Sequence, residues 1–324
     1  MKKITILTRR VSVKDFVFKS IRNVLRFLKY LIKGGITNTD TLFYSGHTAV
    51  TRSLVTGLKE AKIDFVYNPI FEKDITDNVI VLSDMKALQQ MIQLKKSGWV
   101  KRILAGPNLI DLPTENNKAL TDPEIDIVIV PSEMVKQIYE KLNPSLIGKI
   151  AIWYAGVDTN YWKPEDKNKD DEILVYWKDT TPKPFCLEVE SIIKKCGYKV
   201  NRINYGKYNK KHYKNSLNRS KYAVFLSMTE TQGLALIEAW SMNVPTLVWY
   251  PGIEHSFIRS VVTTSAPYLT DDTGKKWKEL NDLENLLLES KLKVENFSPR
   301  KWVLENMTDK ISAEMIVEIC DNVK

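Results

Sequence analysis

Short apolar runs alternate with amphipathic stretches along this chain. Ile4-Thr5-Ile6-Leu7, Thr41-Leu42-Phe43-Tyr44, Ile63-Asp64-Phe65-Val66-Tyr67, Val79-Ile80-Val81-Leu82, Arg102-Ile103-Leu104-Ala105, Ile125 to Val130 and Lys149 to Tyr154 read as strands. A second series starts at Ile173-Leu174-Val175-Tyr176-Trp177 and runs through Lys199 to Ile203, Tyr222 to Leu226 and Thr246 to Trp249. Such runs are too short for helices and fit strands buried on both faces. Between them lie helical patterns, such as Leu88, Met91, Ile92 and Leu94, and a helix start at Pro131-Ser132-Glu133. This alternation predicts doubly wound parallel sheets, with ligands at the carboxyl ends of the strands.

The length of 324 residues suits two domains. The run Glu165 to Asp171, almost all charged, reads as a solvated linker. The final segment, Ser298-Pro299 to Asn322, reads as one long helix. Cys186, Cys196 and Cys320 are widely spaced and odd in number, so they suggest neither a disulfide framework nor a zinc site. Cys186 and Cys196 are expected in a core, and a reducing cytoplasm fits. Met1 leads directly into the first strand, with no signal-peptide pattern.

A net charge of +9 points to an anionic partner. No zinc-finger, RNA-recognition or homeodomain pattern accompanies it, so nucleic acid is not expected. The most basic stretch is residues 13–33. There Lys19, Arg22, Arg26, Lys29 and Lys33 share an arc of about 80° on a helical wheel, opposite Phe16, Val17, Ile21, Val24, Leu25, Phe27, Leu28, Leu31 and Ile32. Two readings stay open: an interfacial helix on an anionic membrane, placing the protein peripherally on the inner face, or a domain helix with a solvated basic side. Charges at every third or fourth residue exclude a membrane span.

The most informative stretch is Ser227-Met228-Thr229-Glu230-Thr231-Gln232-Gly233-Leu234-Ala235-Leu236-Ile237-Glu238-Ala239. A buried strand precedes it, a helical pattern continues it, and Pro245 opens another strand. Strand, glycine-containing turn, helix and strand form the unit that places an anionic ligand at a helix N-terminus. Glu238 should stand within roughly two helical turns of Glu230. Backbone N–H groups near Gln232 to Leu234 can take a diphosphate, and the carboxylates can accept from sugar hydroxyls. Two surface acids flanking a helix N-terminus are also the bland outcome, since acids favour that position.

As a whole the stretch resembles the donor site of retaining GT-B glycosyltransferases of family 4. In that pattern Glu, seven residues and Glu are followed by Ala, a small residue and a Pro-opened strand, here Ala239, Ser241 and Pro245. The family has Gly before the Pro, where this chain has Asn243-Val244; Asn is the residue that replaces Gly in a left-handed helix cap. Ala155-Gly156-Val157-Asp158 through Pro164 resembles the family's hinge. The resemblance covers about Ile173 to Val248 well and the first half by pattern alone.

The resemblance implies two Rossmann-like, doubly wound domains facing across a cleft. The first, 1–160, would bind the acceptor, with a C-terminal helix at about 300–324 packing back on it; the second, 165–299, would bind a nucleotide-sugar. It further implies a uridine or guanosine diphosphate-linked donor, a glycan or lipid-linked acceptor, retention of configuration, and no metal or other cofactor. Residue by residue, Lys178 and Lys183 would hold the diphosphate, with Lys where the family commonly has Arg then Lys. Glu230 would contact the transferred sugar and Glu238 the ribose. The Thr231, Gln232, Gly233 and Leu234 backbone would meet sugar and phosphate, and Tyr205 would stack on the base or serve as a structural aromatic. On the acceptor side, Gly46 and His47 match a glycine-rich loop, Asn108 stands where relatives carry His, and Arg52 and Glu133 are further contacts. Glu124-Ile125-Asp126 is poorly placed to hold a metal. The rival readings are a nucleotide-sugar hydrolase, epimerase or sugar-phosphate synthase of the same fold and, in another class, a basic binding module for membrane or nucleic acid that has lost activity.

Overall fold

The computed structural model describes residues 3–13, 46–165, 171–252, 263–289 and 293–323. The basic stretch from residue 14 onward, the expected strand Thr41–Tyr44, Ser45, most of the charged linker and His255 lie outside the described residues. Two compact units divide the chain, Met1–Gly156 with Asp309–Lys324, and Val157–Thr308.

In the first unit, strands β1 (Ile4–Leu7), β2 (Phe65–Tyr67), β3 (Asn78–Ser83), β4 (Arg102–Asn108), β5 (Ile127–Val130) and β6 (Ile150–Ile152) form one sheet in the order β2-β1-β3-β4-β5-β6. Every pairing is parallel. Period-two alternation supplies both faces. Val79, Val81, Ile103, Ala105, Val128 and Val130 join one core with Leu88 and Met91 of helix α2 (Met85–Lys96) and with Met134 and Val135 of α3 (Glu133–Leu142). Ile80, Leu104 and Ile129 point the other way and are equally buried. Helix α1 (Gly46–Glu60) packs against the last helix, α9 (Asp309–Asp321), so closely that a Cβ on Gly57 would come 1.9 Å from the Asp309 carbonyl oxygen. Trp153 anchors the same helix, its indole N–H donating to the Ser312 carbonyl at 2.8 Å.

The second unit has β7 (Glu172–Trp177), β8 (Lys199–Asn204), β9 (Ser220–Leu226), β10 (Thr246–Trp249) and β11 (Gly274–Trp277) in the order β11-β10-β9-β7-β8, again all parallel. Its helices are α4 (Lys183–Lys195), α5 (Lys210–Arg219), α6 (Leu234–Ser241), α7 (Leu280–Leu288) and α8 (Pro299–Asn306). Cys186 is buried in its core and Cys196 is half-buried beside it. The Arg300 guanidinium of α8 donates to the carbonyls of Trp162 (2.9 Å), Ser241 (2.5 Å) and Thr159 (3.2 Å). A cation is thereby placed on the last carbonyls of α6, where the helix dipole favours it, and 159–162 is tied to that helix. Burial pushes the Arg300 pKa down from its ordinary value.

The expected single C-terminal helix is two. Met307 leaves helical geometry at φ −136°, its carbonyl accepts from the Val157 N–H at 3.0 Å, and Thr308 bridges Val157 in parallel. The chain re-enters a helix at Asp309, so only Asp309–Asp321, and not the segment from 300, belongs with the first unit. Thr308-Asp309 is itself a helix-start signal. The apolar pattern does not announce strand β11 either: Gly-Lys-Lys-Trp lacks an apolar run because it is a sheet edge, pairing with β10 only.

Candidate active site

In each sheet the first strand is followed by one neighbour on one side and the next neighbour on the other, which creates a topological switch point where ligands bind. In the second unit this falls between β7 and β9. Lys178 follows β7 and Glu230 lies just beyond β9, and the ammonium meets the carboxylate at 2.5 Å across the switch point. The two side chains are 19% and 14% exposed, so the pair is shielded but open to a ligand.

Backbone bonds fix both arms. Lys178 N–H donates to the Leu226 carbonyl at 3.1 Å, and the Thr181 hydroxyl donates to the same carbonyl at 3.2 Å. Glu230 N–H donates to Thr264 at 3.0 Å. Gly233 then turns the chain into α6 with φ 80° and ψ 53°, a left-handed conformation that glycine adopts without cost. The helix has neither a side-chain cap nor an acid in its first turn, so its leading N–H groups are available to an anion. Gln232 and Glu238 are buried at 6% exposure, Leu234 is half-buried, and Thr231 is exposed. Asn243 has φ 55°, the left-handed conformation expected of the residue that stands in for the glycine.

Tyr205 follows β8 and is 54% exposed; the Lys178 ammonium lies 4.6 Å from its ring centroid. Edge contact with Tyr176 at 6.5 Å between centroids supports the ring. Thus Lys178, Glu230 and Tyr205 are one constellation. Lys183 is not part of it: it is the first residue of α4, exposed, in a first turn with no acid.

The sequence missed the phenols beneath. Tyr176, at the end of β7, and Tyr208, after the turn at Gly206, share a hydroxyl–hydroxyl hydrogen bond of 3.0 Å. Tyr208 packs on Tyr213 at 5.3 Å between centroids, and the Tyr213 hydroxyl donates to the Ala235 carbonyl of α6 at 2.8 Å. Burial first, then the neighbouring Glu238, raises the Tyr208 pKa well above its ordinary value; burial and Tyr208 do the same for Tyr176. Both are neutral donors at any physiological pH. Spacing offered no signal for them, because the three aromatics come from β7, a turn and α5.

The first unit is different. Its switch point lies between β1 and β3. After β1, Thr8 and Asn68 bond each other twice, at 2.9 and 2.8 Å, and Arg9 donates to the Asn68 carbonyl at 3.4 Å. After β3, Asp84 adopts φ 78° and caps α2 through Lys86 N–H at 2.8 Å. Asn108 ends β4 one strand further over, in register with Ser83, and its buried Nδ2 has no partner among the described residues. Gly46, His47 and Arg52 are exposed on α1. Glu133 opens α3 and accepts from Gln137 at 3.3 Å. Asp126 is engaged by Lys95 (2.5 Å) and Ile103 N–H (2.7 Å). Among the described residues no group of three acids, histidines or cysteines could hold a metal ion, and no helix is long and apolar enough to cross a membrane.

Two parallel-sheet α/β domains of this topology define the GT-B fold. Solved structures share it. HepE of Anabaena in complex with UDP and glucose aligns at a TM-score of 0.58 with 10% identity, over 99% of this chain and 100% of HepE. The lipopolysaccharide outer core galactosyltransferase WaaB, in its apo form, aligns at 0.57 with 11% identity, over 98% of each chain. TarM aligns at 0.52 with 14% identity over 75% of this chain, which spans 55% of TarM's length. At these identities the likeness is one of fold. No family model and no curated protein matches the chain.

Proposed function

We propose that the protein is a glycosyltransferase that moves a sugar from a nucleoside diphosphate-sugar, uridine or guanosine linked, to a glycan or lipid-linked acceptor, with retention and without a metal. The observation that carries this reading is the Lys178–Glu230 pair at the β7/β9 switch point, beside the uncapped start of α6. The neighbours support it at the level of fold: HepE has been solved with UDP and with UDP-glucose.

The chemistry follows from charge. The bond from the sugar's anomeric carbon to the β-phosphate oxygen breaks, its electron pair stays on the diphosphate, and the sugar becomes oxocarbenium-like. Fixed cations and helix N–H groups stabilise the charge that develops. Lys178 has three N–H donors, so it can turn one to Glu230 and the others to phosphate. The α6 N-terminus takes further phosphate oxygens, and Lys183, exposed at the start of α4 and outside the Lys178–Glu230–Tyr205 group, is assigned as a second, outer cation for the diphosphate. Glu230, held against Lys178, accepts from a hydroxyl of the transferred sugar, and Glu238 accepts from the ribose. Tyr205 presents its free face to the base. The acceptor hydroxyl attacks the anomeric carbon and passes its proton to the departing phosphate oxygen, which needs no protein nucleophile. Asn108, whose Nδ2 is an unused donor, and Gly46, His47 and Arg52 are assigned to the acceptor side.

One observation favours a second reading. Residues 191–229 contain ten Lys and Arg and no Asp or Glu, the composition of an anion-binding surface. Melting curves with a panel of nucleotides and nucleotide-sugars, on wild type and Glu238→Gln, separate the two. A ligand at a hundredfold its Kd adds about 2.7 kcal/mol. The transferase reading expects a shift with one base family, lost in the variant. No shift with any nucleotide, together with salt-sensitive binding to anionic vesicles, would leave the basic module.

A further inference from the structure

The Tyr176–Tyr208 pair carries one proton more than its own bond uses. Two phenols have two O–H donors, and the bond between them at 3.0 Å consumes one. Tyr176 is 2% exposed, with no other hydrogen-bond acceptor among the described residues. Were it the acceptor, its own proton would be buried and unmade, which is costly. Tyr176 therefore donates, and the O–H of the half-buried Tyr208 is left for something else.

What lies within its reach is set by Tyr213. That ring packs on Tyr208, and its hydroxyl is fastened to Ala235 in the first turn of α6. Ala235 and Glu238 are three apart and share a face of the helix. The field of Glu238 is felt at Tyr208 more strongly than that of Glu230. The free donor and the buried carboxylate thus belong to one corner of the site.

We infer that Tyr208 is a specificity-determining residue for the sugar of the nucleotide: its O–H donates to a ribose hydroxyl oxygen whose proton is accepted by Glu238. A hydroxyl is both donor and acceptor, so a phenol beside a carboxylate satisfies it completely. A deoxy nucleotide leaves the Tyr208 O–H unpaired, and sites built to hydrogen-bond a hydroxyl discriminate strongly against the analogue lacking it. The inference rests on the proposed nucleotide-sugar reading and adds to it a selection for ribonucleotides.

The test is calorimetric binding of the nucleoside diphosphate selected by the melting panel, with its 2′-deoxy and 3′-deoxy analogues, to wild type and Tyr208→Phe. Wild type should prefer the ribonucleotide over one deoxy analogue by tenfold or more. In Tyr208→Phe the ribonucleotide should weaken about tenfold while that deoxy analogue is unchanged, so that the preference closes. Phenylalanine keeps the ring that packs on Tyr213, and a melting curve checks folding; Tyr208→Met serves in its place should the first not fold. An unchanged preference, or equal weakening of both ligands, overturns the inference while leaving the nucleotide site standing. Failure of wild type to bind any nucleoside diphosphate overturns the underlying reading instead.

Discussion

The two switch points have the same topology and opposite chemistry. At the β1/β3 switch point, polar side chains are used up in holding backbone: Thr8, after β1, is bonded by Asn68 from the β2 side, and Asp84, after β3, caps α2. Between β7 and β9, Lys178 and Glu230 bond each other through their side chains, next to an α6 N-terminus that has no side-chain cap among the described residues. A cap removes a polar group from use, whereas a shielded ion pair keeps two charges ready to exchange partners. Parallel strand order supplies the place in both units, and side-chain allocation decides which place has chemistry to offer.

The comparison predicts unequal responses to substitution. Removing the charge in Glu230→Gln, or the ammonium in Lys178→Met, should lower kcat/KM for a nucleotide-sugar donor by about 10²- to 10³-fold, the usual cost of losing a preorganised electrostatic group. Asn108→Ala, His47→Ala and Arg52→Ala should each raise the acceptor KM by less than about tenfold, the scale of one hydrogen bond. Steady-state kinetics with both substrates varied measures this. The reverse ranking would move the chemistry to the first unit.

Much of this contrast was legible in the sequence. The apolar runs gave the strands, and Glu230, Gly233, Glu238 and Pro245 gave the turn and its helix, because local spacing dictates them. The left-handed conformation of Asn243 was legible for the same reason: one residue type, one backbone region. What escaped was non-local. Tyr208 meets Tyr176 across 32 positions, and Arg300 reaches Trp162 across 138, with no periodicity to announce either. Lys178 and Glu230 were both expected at the site, but not bonded to one another, since only the β7/β9 pairing places them together.

Glycine substitutions should separate the two units in stability rather than activity. Gly57→Ala forces a methyl into the Asp309 carbonyl, with the nearest atom at 1.9 Å, so α1 and α9 must separate. About 3 kcal/mol should be lost in urea unfolding. Gly233→Ala costs about 1 kcal/mol, mainly from its left-handed φ of 80°, since the Leu236 methyl that a Cβ would meet at 2.9 Å is the end of a flexible side chain. Hydrogen exchange should place the first loss in α1 and α9 and the second in α6. Equal losses would mean that the close helix approach in the first unit is not maintained in solution.

Arg300→Met should cost about 2 kcal/mol, because three carbonyls lose a charged donor. Here the second unit alone is affected, so exchange should rise in α6 and at 159–162 while β1 to β6 stay protected. Lysine in its place restores the charge but not the fork, and should recover less than half of the loss.

The smallest effect is a change in the pH slope of stability in alkali. Tyr176 and Tyr208 in the second unit have pKa values raised above the ordinary 10.0, burial being the first cause for each. The unfolded chain ionises these phenols near pH 10 and the folded one does not, so between those limits the folded state binds more protons. Stability is therefore full below about pH 10 and falls as pH rises beyond it, by up to ~1.4 kcal/mol per pH unit for each such group. Tyr208→Phe should be about 1 kcal/mol less stable at pH 8, from the lost hydroxyl bond, yet lose stability more slowly between pH 10 and 11, so that its denaturation midpoints converge on wild type. Tyr139 shows the same upward displacement in the first unit, from burial and then Asp111, and gives the matched control. Its hydroxyl donates to a backbone carbonyl, Ile110, at 3.0 Å, rather than to another phenol. Tyr139→Phe should flatten the alkaline limb equally while leaving nucleotide binding untouched; Tyr208→Phe should change both. If the two variants behave alike toward nucleotide, the phenol pair belongs to the core and not to the site.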